Sequence, residues 1–479
     1  MKNRFSPFIP SMSLLVLATG SLMSGCQTQP EPESTAVQEA SDIRTWDEPR
    51  VQPDRIILTW EDDPATTQSV TWRTDASVTT PVAEVALATP HPGMVNAGVR
   101  TEARSETVDA SIVDGEYVVA KHHTATFRDL LPDTLYAYRV GDGETWSEWF
   151  QFRTASTEPK PFSFVYFGDA QNDIMPLWSR VIRASALEAP DMAFMLHAGD
   201  LVNRAHRNTE WGEWFEAGSF LHAMFPSIAA LGNHETDPYN AEEDSLDIEH
   251  ISIWWQPQFA FPDNGPQGVD GETVYYVDYQ GVRIVALNSS DDWEIQAEWL
   301  DRILAENPHD WVIVTHHHPI FSASEGRDNQ ELRNTWKPIY DRHGVDLVLQ
   351  GHDHTYARGR TPTYAAAASE NVPTGANLRD GENGTVYVVS VSGRKMYDLK
   401  PDGWDGYEEI QRERAAENTQ LFQVIRIDGH RLFYQAFTPT GQLYDAFELE
   451  KQEGRPNRFI DRAPETDEYR FQGTDPYTW

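Results

Sequence analysis

Five short polar motifs recur along this chain in a fixed order, and each combines possible metal ligands with a glycine or a proline. They are GDAQ (168–171), GDLVN (199–203), GNHE (232–235), THHHP (315–319) and GHDH (351–354). Glycine and proline are typical of turns at strand ends, where a side chain can be directed into a cleft. We therefore expect a fold in which five separate strand ends meet at one place.

The segments between the motifs alternate between strand-like and helix-like patterns. The apolar run PFSFVYF leads directly into Asp169, and MAFML leads towards Asp200. Later runs, WVIVT and VDLVLQ, precede the fourth and fifth motifs, while the segment after Asp173 and QAEWLDRILAE have helical spacing. The predicted class is α/β, with two mixed β-sheets packed face to face and flanked by helices over residues 160–450.

Residues 52–156 show a different pattern, with six short runs separated by turn-rich segments such as DDPATT and GDGET. Those runs are RIILTW, QSVTWRT, VAEVAL, YVVAKHHTATF, LYAYRV and WFQFRT. This spacing predicts a small all-β sandwich domain. The chain has 479 residues, which is long enough for two or three domains.

The start of the chain indicates export. Residues 1–25 have the layout of a secretory signal peptide, with Lys2 and Arg4 ahead of an apolar stretch. The sequence LMSGC ending at Cys26 resembles a bacterial lipoprotein lipobox, although Met23 stands where leucine is usual. Lipidation would account for the single cysteine of an exported chain, and the alternative is a cleaved signal that leaves a free thiol.

Lipidation at Cys26 predicts a membrane-anchored protein. By analogy with bacterial lipoproteins, Gln27 after the cysteine favours the outer membrane. Residues 26–51 are rich in Thr, Gln, Pro, Glu and Ser, which predicts a flexible tether. Residues 451–479 are predicted to form a C-terminal tail on the surface, without an assigned function.

Composition argues against one class of partner. The chain has 38 Lys and Arg against 75 Asp and Glu, a formal net charge of −37. Binding to nucleic acid depends on clustered cations, so no nucleic-acid docking surface is expected. An acidic surface of this kind agrees with solubility and tolerance of salt. The oligomeric state is left open.

The residue types in the five motifs suit a pair of metal ions. Two divalent cations about 3.5–4 Å apart can clamp both oxygens of an in-line displacement at phosphorus. Such a pair needs a bridging carboxylate and several terminal ligands, and the carboxylates, amides and imidazoles of the motifs suit Fe, Mn or Zn. In GHDH, His352 and His354 lie on one side of an extended segment, because side chains repeat every second residue.

The motifs and the sequences that frame them resemble the calcineurin-like metallophosphoesterases, and most closely the purple acid phosphatase branch, over roughly residues 50–450. The framing sequences are WGEWF, ETVYYVDYQGVRIVALNSS, QAEWLDRIL and TYARGR. The stretches TTQSVTWRTD and LLPDTLYAYRVG resemble the fibronectin type III-like domain that precedes the catalytic domain in many of those enzymes. The resemblance implies hydrolysis of phosphoric esters at a binuclear metal centre, with a metal-bridging hydroxide as the nucleophile.

The resemblance also implies a role for each motif residue. Asp200 would bridge the two metals, and His234 would protonate the leaving group or stabilise the phosphoryl oxygens. The other ligands would be Asp169 and His354 on the first metal, and Asn233, His317 and His352 on the second. His317 is chosen because the ligand of the family lies two places before proline; a slip of one residue in the strand would select His316 or His318 instead.

Two positions depart from the related families, and both concern the first metal. Asn203 stands where purple acid phosphatases have the tyrosine that binds ferric iron, so we expect no purple chromophore and weaker selection for Fe(III). Gln171 stands where other calcineurin-like enzymes have a histidine. Its amide oxygen could ligate a hard cation, or the side chain could only hydrogen-bond the bridging group.

Residues beside the motifs are candidates for contacting a small phosphorylated substrate. They are Asn203, Arg204, His206, His318, Tyr356 and Arg358. A guanidinium among them could bind a second phosphate or a carboxylate. An ordinary surface or supporting role is the alternative for each of them.

The function expected first is hydrolysis of phosphate monoesters outside the cytoplasm. A phosphodiesterase or a nucleotide pyrophosphatase is the alternative, since two metals can hydrolyse all of these esters and the pocket walls choose among them. A surface glycan-binding lipoprotein with a relic site is a third, non-enzymatic hypothesis.

Overall fold

The described part of the chain is nearly continuous from residue 46 onwards. The computed structural model describes residues 46–113, 116–236, 251–361, 384–400, 404, 406–453 and 455–470. The predicted signal peptide, Cys26 and most of the predicted tether lie outside these residues. None of the helices described is long and apolar enough to cross a membrane.

The N-terminal strands form two four-stranded antiparallel sheets, in the orders β1-β2-β6-β5 and β4-β3-β7-β8. The strands are β1 (Asp54–Thr59), β2 (Gln68–Asp75), β3 (Val82–Leu87), β4 (Val99–Glu102), β5 (Arg104–Val113), β6 (Glu116–Phe127), β7 (Leu135–Gly141) and β8 (Phe150–Arg153). Leu58 and Trp72 of one sheet pack with Tyr138 and Phe152 of the other in a shared core. The predicted all-β region is confirmed.

Two strands of this region, β4 and β5, were not predicted from the sequence. Strand β4 is the short polar sequence VRTE, which lies at a sheet edge and is largely exposed. A strand with little apolar surface to bury has no alternating pattern by which it can be recognised.

Two seven-stranded mixed sheets follow, in the orders β11-β10-β9-β19-β20-β21-β22 and β12-β13-β14-β15-β17-β16-β18. The strands are β9 (Phe162–Phe167), β10 (Met195–His197), β11 (Ser227–Ala229), β12 (Tyr275–Tyr279), β13 (Val282–Ala286), β14 (Trp311–His316), β15 (Leu347–Gln350), β16 (Tyr356–Arg360), β17 (Val386–Val389), β18 (Gln411–Ala416), β19 (Phe422–Asp428), β20 (Arg431–Phe437), β21 (Leu443–Gln452) and β22 (Arg455–Asp461). Phe164, Tyr166, Ile313 and Leu349 belong to one core between the sheets. The predicted two-sheet α/β class is confirmed.

Helices flank this pair of sheets, and some of them also contact strands of the N-terminal sandwich. They are α1 (Ser179–Glu188), α2 (Asn208–Gly218), α3 (Phe220–Met224), α4 (Trp255–Gln258), α5 (Trp293–Ala305) and α6 (Gln330–His343). Leu300 of α5 and Trp336 of α6 pack against Val314 in a second core. The predicted helix after Asp173 is present, but its first turn, Ile174–Trp178, is wound as a π-helix.

Parallel pairing brings the motif-bearing strand ends to one edge. Strands β9, β10 and β11 are mutually parallel, as are β13, β14, β15 and β17. A parallel bridge between Asp169 and Val391 joins the two sheets at that edge. The carboxyl ends of both parallel sets therefore face the same cleft.

The C-terminal segment corrects the prediction of a surface tail from residue 451. Strand β21 continues to Gln452, and β22 pairs antiparallel with it over Arg455–Asp461. Phe459 of β22 is buried and stacks on Phe447 at 5.4 Å between ring centroids. One buried aromatic residue among charged ones was too weak a pattern to predict a strand.

A buried stack of aromatic rings lies behind β10. Trp178 stacks on Trp214 with a centroid separation of 6.0 Å, and His222 of α3 stacks on Trp214 at 4.1 Å. His222 is fully buried, and this burial lowers its pKa from 6.5 to about 3. The folded protein therefore holds this imidazole neutral at pH values where the unfolded chain binds a proton.

We predict that the free energy of unfolding falls as the pH drops below 6.5, and that His222→Phe reduces the fall. Between about pH 7.5 and about pH 5.5, one such histidine costs about 1.4 kcal/mol, because only the unfolded state gains its proton. Urea denaturation at both pH values measures the difference. His430→Gln, at an exposed position, is the control and leaves the pH dependence unchanged; an equal fall in His222→Phe and the parent would contradict the prediction.

Candidate metal centre

Five strand ends deliver the motif side chains to the shared edge. Asp169 follows β9, Asp200 follows β10 and Asn233 follows β11 in the first sheet, while His317 follows β14 and His352 follows β15 in the second. With His354, these residues are called the ligand cluster here. The carboxylates of Asp169 and Asp200 are almost completely buried.

Two groups of possible metal ligands share one carboxylate. Asp200, His317 and His352 form one group, and Asp169, Asp200 and His354 form the other. Within each group the ligand atoms all lie within 4.8 Å of one another. The sharing of Asp200 is the geometry that a bridging ligand between two cations requires.

The ring of His317 presents a lone pair to the cluster. Its Nδ1 lies 2.9 Å from the carbonyl oxygen of Ala198, which can only accept, so Nδ1 carries the hydrogen. In the neutral ring Nε2 is then an acceptor, and it faces Asp200 Oδ1 at 3.2 Å and Asn233 Oδ1 at 3.1 Å. Three acceptor atoms that face one another repel unless a cation lies between them.

His354 repeats this arrangement on the other side. Its Nδ1 donates to the carbonyl oxygen of Lys395 at 2.7 Å, so in the neutral ring Nε2 is the acceptor. This Nε2 lies 3.0 Å from Asp169 Oδ2 and 3.3 Å from the amide Nε2 of Gln171. Asp169 Oδ2 is buried and has no hydrogen-bond donor among the described residues. The cluster thus offers nitrogen and oxygen ligands, and backbone carbonyls fix the tautomers of its histidines. Ligands of these types suit a pair of Fe, Mn or Zn ions.

The pKa values of His317 and Asp200 also indicate that the cluster stabilises positive charge. Burial alone would lower the pKa of His317, but the carboxylates of Asp200 and Asp169 outweigh it and raise this pKa to about 9. Burial alone would raise the pKa of Asp200, but His317 and His234 lower it below its usual range. The cluster therefore stabilises a cation, either a proton or a metal ion.

The glycines of the motifs allow the strand ends to approach closely. A Cβ on Gly351 would lie 2.2 Å from Asp169 Oδ1, and a Cβ on Gly232 would lie 2.2 Å from the backbone nitrogen of Asp200. Neither position has room for a side chain. Asp200 itself has a φ of 50°, a left-handed conformation that an ordinary residue adopts only when its surroundings hold it.

Glu235 holds the Asp200 turn, a role that the sequence analysis missed. Its buried carboxylate accepts the backbone N–H groups of Gly232 and Asp200 at 2.8 Å each, and that of Leu201 at 2.9 Å. One side chain thus fixes the second and third motifs relative to each other. Glu235 is the last residue of the GNHE motif, so it was visible in the sequence. A carboxylate next to predicted ligands, however, suggests a further metal ligand and not a residue that holds backbone N–H groups.

Gln171 and Asn203, the two unusual positions, both lie at the cluster. Gln171 is buried and its Nε2 donates to Asp200 Oδ2 at 2.6 Å, while its Oε1 has no hydrogen-bond partner in the described part of the chain. Asn203 contributes its backbone, since its carbonyl oxygen accepts from His234 Nδ1 at 2.7 Å. In this conformer Gln171 is a hydrogen-bond donor to the shared carboxylate; its ligation of a metal stays a prediction.

The three consecutive histidines have three different environments. His317 enters the ligand cluster, whereas His316 is buried against Trp336 and Tyr340. His318 lies beside the cluster, with its Nδ1 2.9 Å from Ser289 Oγ and its ring 4.2 Å from that of His352. The predicted choice of His317 agrees with this register.

Two of the residues predicted to contact substrate are placed elsewhere, which corrects that part of the prediction. Tyr356 and Arg358 are buried on β16, and both donate to Asp445 Oδ2 at 2.6 Å. Alternate residues of β16 point into the core between the sheets, so proximity to GHDH in sequence did not bring them to the cleft. Arg204 is exposed and His206 is half-buried in the loop after Asp200.

This α/β fold and this cluster, with two groups that could hold metal ions, have the arrangement of a metallophosphoesterase. Two protein families match the chain. The family described as Purple acid Phosphatase, N-terminal domain matches residues 53–154, and the family described as Calcineurin-like phosphoesterase matches residues 163–356. Residues 163–356 are therefore similar to the calcineurin-like phosphoesterases, and the N-terminal match points to the purple acid phosphatase-like branch among them.

Individual relatives are distant. An uncharacterized protein of Mycobacterium tuberculosis is 28% identical over 68% of this chain and 66% of its own length. The probable inactive purple acid phosphatase 1 of Arabidopsis thaliana is 24% identical over 69% of this chain and 57% of its own length. The chain thus spans less than two thirds of the length of these curated relatives.

A solved structure supports the fold. Purple acid phosphatase PPD1 from yellow lupin (Lupinus luteus) seeds superposes with a TM-score of 0.66 at 19% identity, covering 83% of this chain and 74% of that one. At this identity the likeness establishes the shared architecture, and the chemistry has to be argued from the side chains.

We predict that Glu235→Gln weakens metal binding although Glu235 is not itself a predicted ligand. The amide would turn an NH₂ group towards backbone N–H donors, and changes of this kind beside a metal site cost about 10-fold to 100-fold in affinity. Metal content after dialysis against a graded chelator series measures the change. Glu188→Gln, at an exposed position, is the control; full metal retention by Glu235→Gln would contradict the clamp.

Proposed function

We propose that this protein is a metal-dependent phosphoesterase that hydrolyses phosphate monoesters. The observation that carries the proposal is the sharing of Asp200 between two groups of possible metal ligands. The similarity to the purple acid phosphatase-like branch supports the same conclusion, since a binuclear metal centre is a property of that family.

The residues of the ligand cluster would hold two metal ions. Asp169 and His354 serve one ion, Asn233, His317 and His352 serve the other, and Asp200 serves both. When bound, the ions supply Lewis acidity that neutralises phosphoryl oxygens and makes water more acidic. Within the chain, the buried carboxylates and the fixed histidine tautomers keep the donor atoms in place before substrate arrives.

His234 is positioned to move a proton at the mouth of this cluster. Its Nδ1 is engaged by the Asn203 carbonyl, so Nε2 is the nitrogen that turns towards the shared carboxylate, 3.9 Å from Asp200 Oδ2. The backbone N–H of His234 also donates to Asp200 Oδ1 at 3.0 Å. The side chain is 23% exposed, so a leaving oxygen can reach Nε2.

A panel of substrates tests the proposed reaction. p-Nitrophenyl phosphate, bis(p-nitrophenyl) phosphate and a nucleoside diphosphate are compared with Mn, Zn or Fe supplied. A higher kcat/KM for the monoester supports the proposal, whereas a higher value for the diester or the diphosphate replaces it with the diesterase or pyrophosphatase alternative. Bound metal without hydrolysis of any substrate would favour the non-enzymatic hypothesis.

We predict that Asp200→Asn binds less than half the metal of the parent protein and loses activity by at least about 100-fold. An amide cannot supply two anionic oxygens, so the shared position would lose the charge that a bridging ligand provides. Metal analysis and hydrolysis of p-nitrophenyl phosphate measure both effects. Asp173→Asn, at an ion pair with Arg394, is the control; an active Asp200→Asn with full metal content would remove the bridging role.

We predict that His234→Asn lowers kcat by about 10²-fold to 10⁴-fold and leaves the metal content unchanged, because it removes a proton donor and no ligand. The rate loss shrinks for substrates whose leaving groups need no protonation, such as p-nitrophenyl phosphate relative to an alkyl phosphate. Equal losses for both leaving groups would show that His234 stabilises the phosphoryl oxygens instead.

A further inference from the structure

A segment after β17 lies against the ligand cluster and was not predicted from the motifs. The backbone N–H of Gly393 donates to the carbonyl oxygen of Asp169 at 2.6 Å, and the N–H of Tyr397 donates to that of His354 at 3.0 Å. The Tyr397 ring lies 4.6 Å from the ring of His354 between centroids. Residues 393–397 therefore form one wall beside the first ligand group.

Two cationic side chains contact the Tyr397 ring. The Arg327 guanidinium carbon lies 5.2 Å from its centroid and Lys395 Nζ lies 5.6 Å from it. Both distances are within the range of cation–π attraction. Arg327, Tyr397 and Lys395 are called the rim triad here.

Arg327 is fixed in place by the last motif. Its Nε donates to Asp353 Oδ1 at 3.2 Å and its Nη2 donates to the backbone carbonyl of His352 at 3.1 Å. Asp353 is fully buried, so this anchor is rigid, while the arginine side chain is 28% exposed. A guanidinium that is held on one edge and open on the other is suited to binding an anion.

Lys395 differs from the neighbouring Arg394 in having no acidic partner among the described residues. Arg394 forms an ion pair with Asp173. Lys395 pairs with no carboxylate in the part of the chain that the structure describes. Its ammonium group contacts the Tyr397 ring instead. A lysine without a carboxylate partner among the described residues stands out in a chain with a net charge of −37.

We propose that the rim triad is a subsite for a second anionic group of the substrate, a carboxylate or a further phosphate carried by the ester being hydrolysed. This inference rests on the proposed function, because the ester phosphate has to occupy the ligand cluster. The subsite makes phosphate esters that carry a further anionic group better substrates than esters of the same shape whose substituent is uncharged. Arg327 provides a guanidinium anchored by Asp353 and His352, Lys395 provides a second cation, and both lie against the Tyr397 ring.

An isosteric pair of substrates tests the subsite. 4-Carboxyphenyl phosphate and 4-carbamoylphenyl phosphate differ in the anionic group, and 1,4-phenylene bisphosphate replaces the carboxylate by a second phosphate. We expect the parent protein to favour the two anionic substrates. Lys395→Gln should lower kcat/KM for them about 10-fold, the loss of one charged hydrogen bond, and should change the carbamoyl substrate less than about 2-fold.

Two further variants make the result specific. Lys400→Gln removes another lysine of the same segment, whose ammonium group lies over Tyr407 instead, and should leave every substrate unchanged. Lys395→Arg should restore the preference, because it keeps the charge. Equal losses for the carboxylate and the carbamoyl substrate, or no preference in the parent protein, would overturn the subsite while the proposed function stands.

A binding measurement keeps the two proposals separable. Calorimetric titration with 4-carboxybenzylphosphonate and 4-carbamoylbenzylphosphonate needs no turnover. Tighter binding of the carboxylate by the parent protein, lost in Lys395→Gln, supports the subsite even if hydrolysis fails. Equal affinities for the two phosphonates would overturn it, whatever the substrate panel shows.

Discussion

The structure depends on one electrostatic constraint, the convergence of acceptor atoms on the Asp200 carboxylate. Ring nitrogens whose hydrogens are committed to backbone carbonyls face carboxylate and amide oxygens at about 3 Å. Such a group is stable only around positive charge, so the fold has to hold it together by other contacts. The buried carboxylate of Glu235, the close approach allowed by Gly351 and the bridge between Asp169 and Val391 serve that purpose.

The N-terminal sandwich contributes to the same support. Arg55 and Arg73 of that domain both donate to Asn208 Oδ1, at 2.7 and 3.0 Å, in the first turn of α2. The loop that ends at Asn208 begins at Asn203, whose carbonyl orients His234. The sandwich thus braces the loop whose Asn203 carbonyl orients the proposed proton donor His234, which gives it a structural role independent of any ligand of its own.

Sequence reasoning succeeded where side chains follow directly from strand ends. An apolar run that ends in a ligand fixes the position of that ligand, so Asp169, Asp200 and His317 were placed correctly at the edge of the sheets. It failed where a residue acts through tertiary contacts. Tyr356 and Arg358 were assigned to the cleft by proximity in sequence, but a buried Asp445 from the distant strand β21 binds both. Glu235 likewise holds backbone groups of Asp200 and Leu201, more than 30 residues away in sequence, which no local pattern reveals.

The two irregular positions of the first ligand group, Gln171 and Asn203, bear on which metal the proposed centre would prefer. Where related enzymes place a tyrosine, Asn203 gives only its carbonyl oxygen to His234, and Gln171 gives an amide N–H to the shared carboxylate. The first group then relies on two carboxylates and one imidazole, a set without the phenolate that favours ferric iron. Since such oxygen and nitrogen donors accept several divalent ions, availability of the metal decides occupancy more than the affinity of the site does. The second group, with two imidazoles, an amide and the shared carboxylate, is the more complete half of the centre.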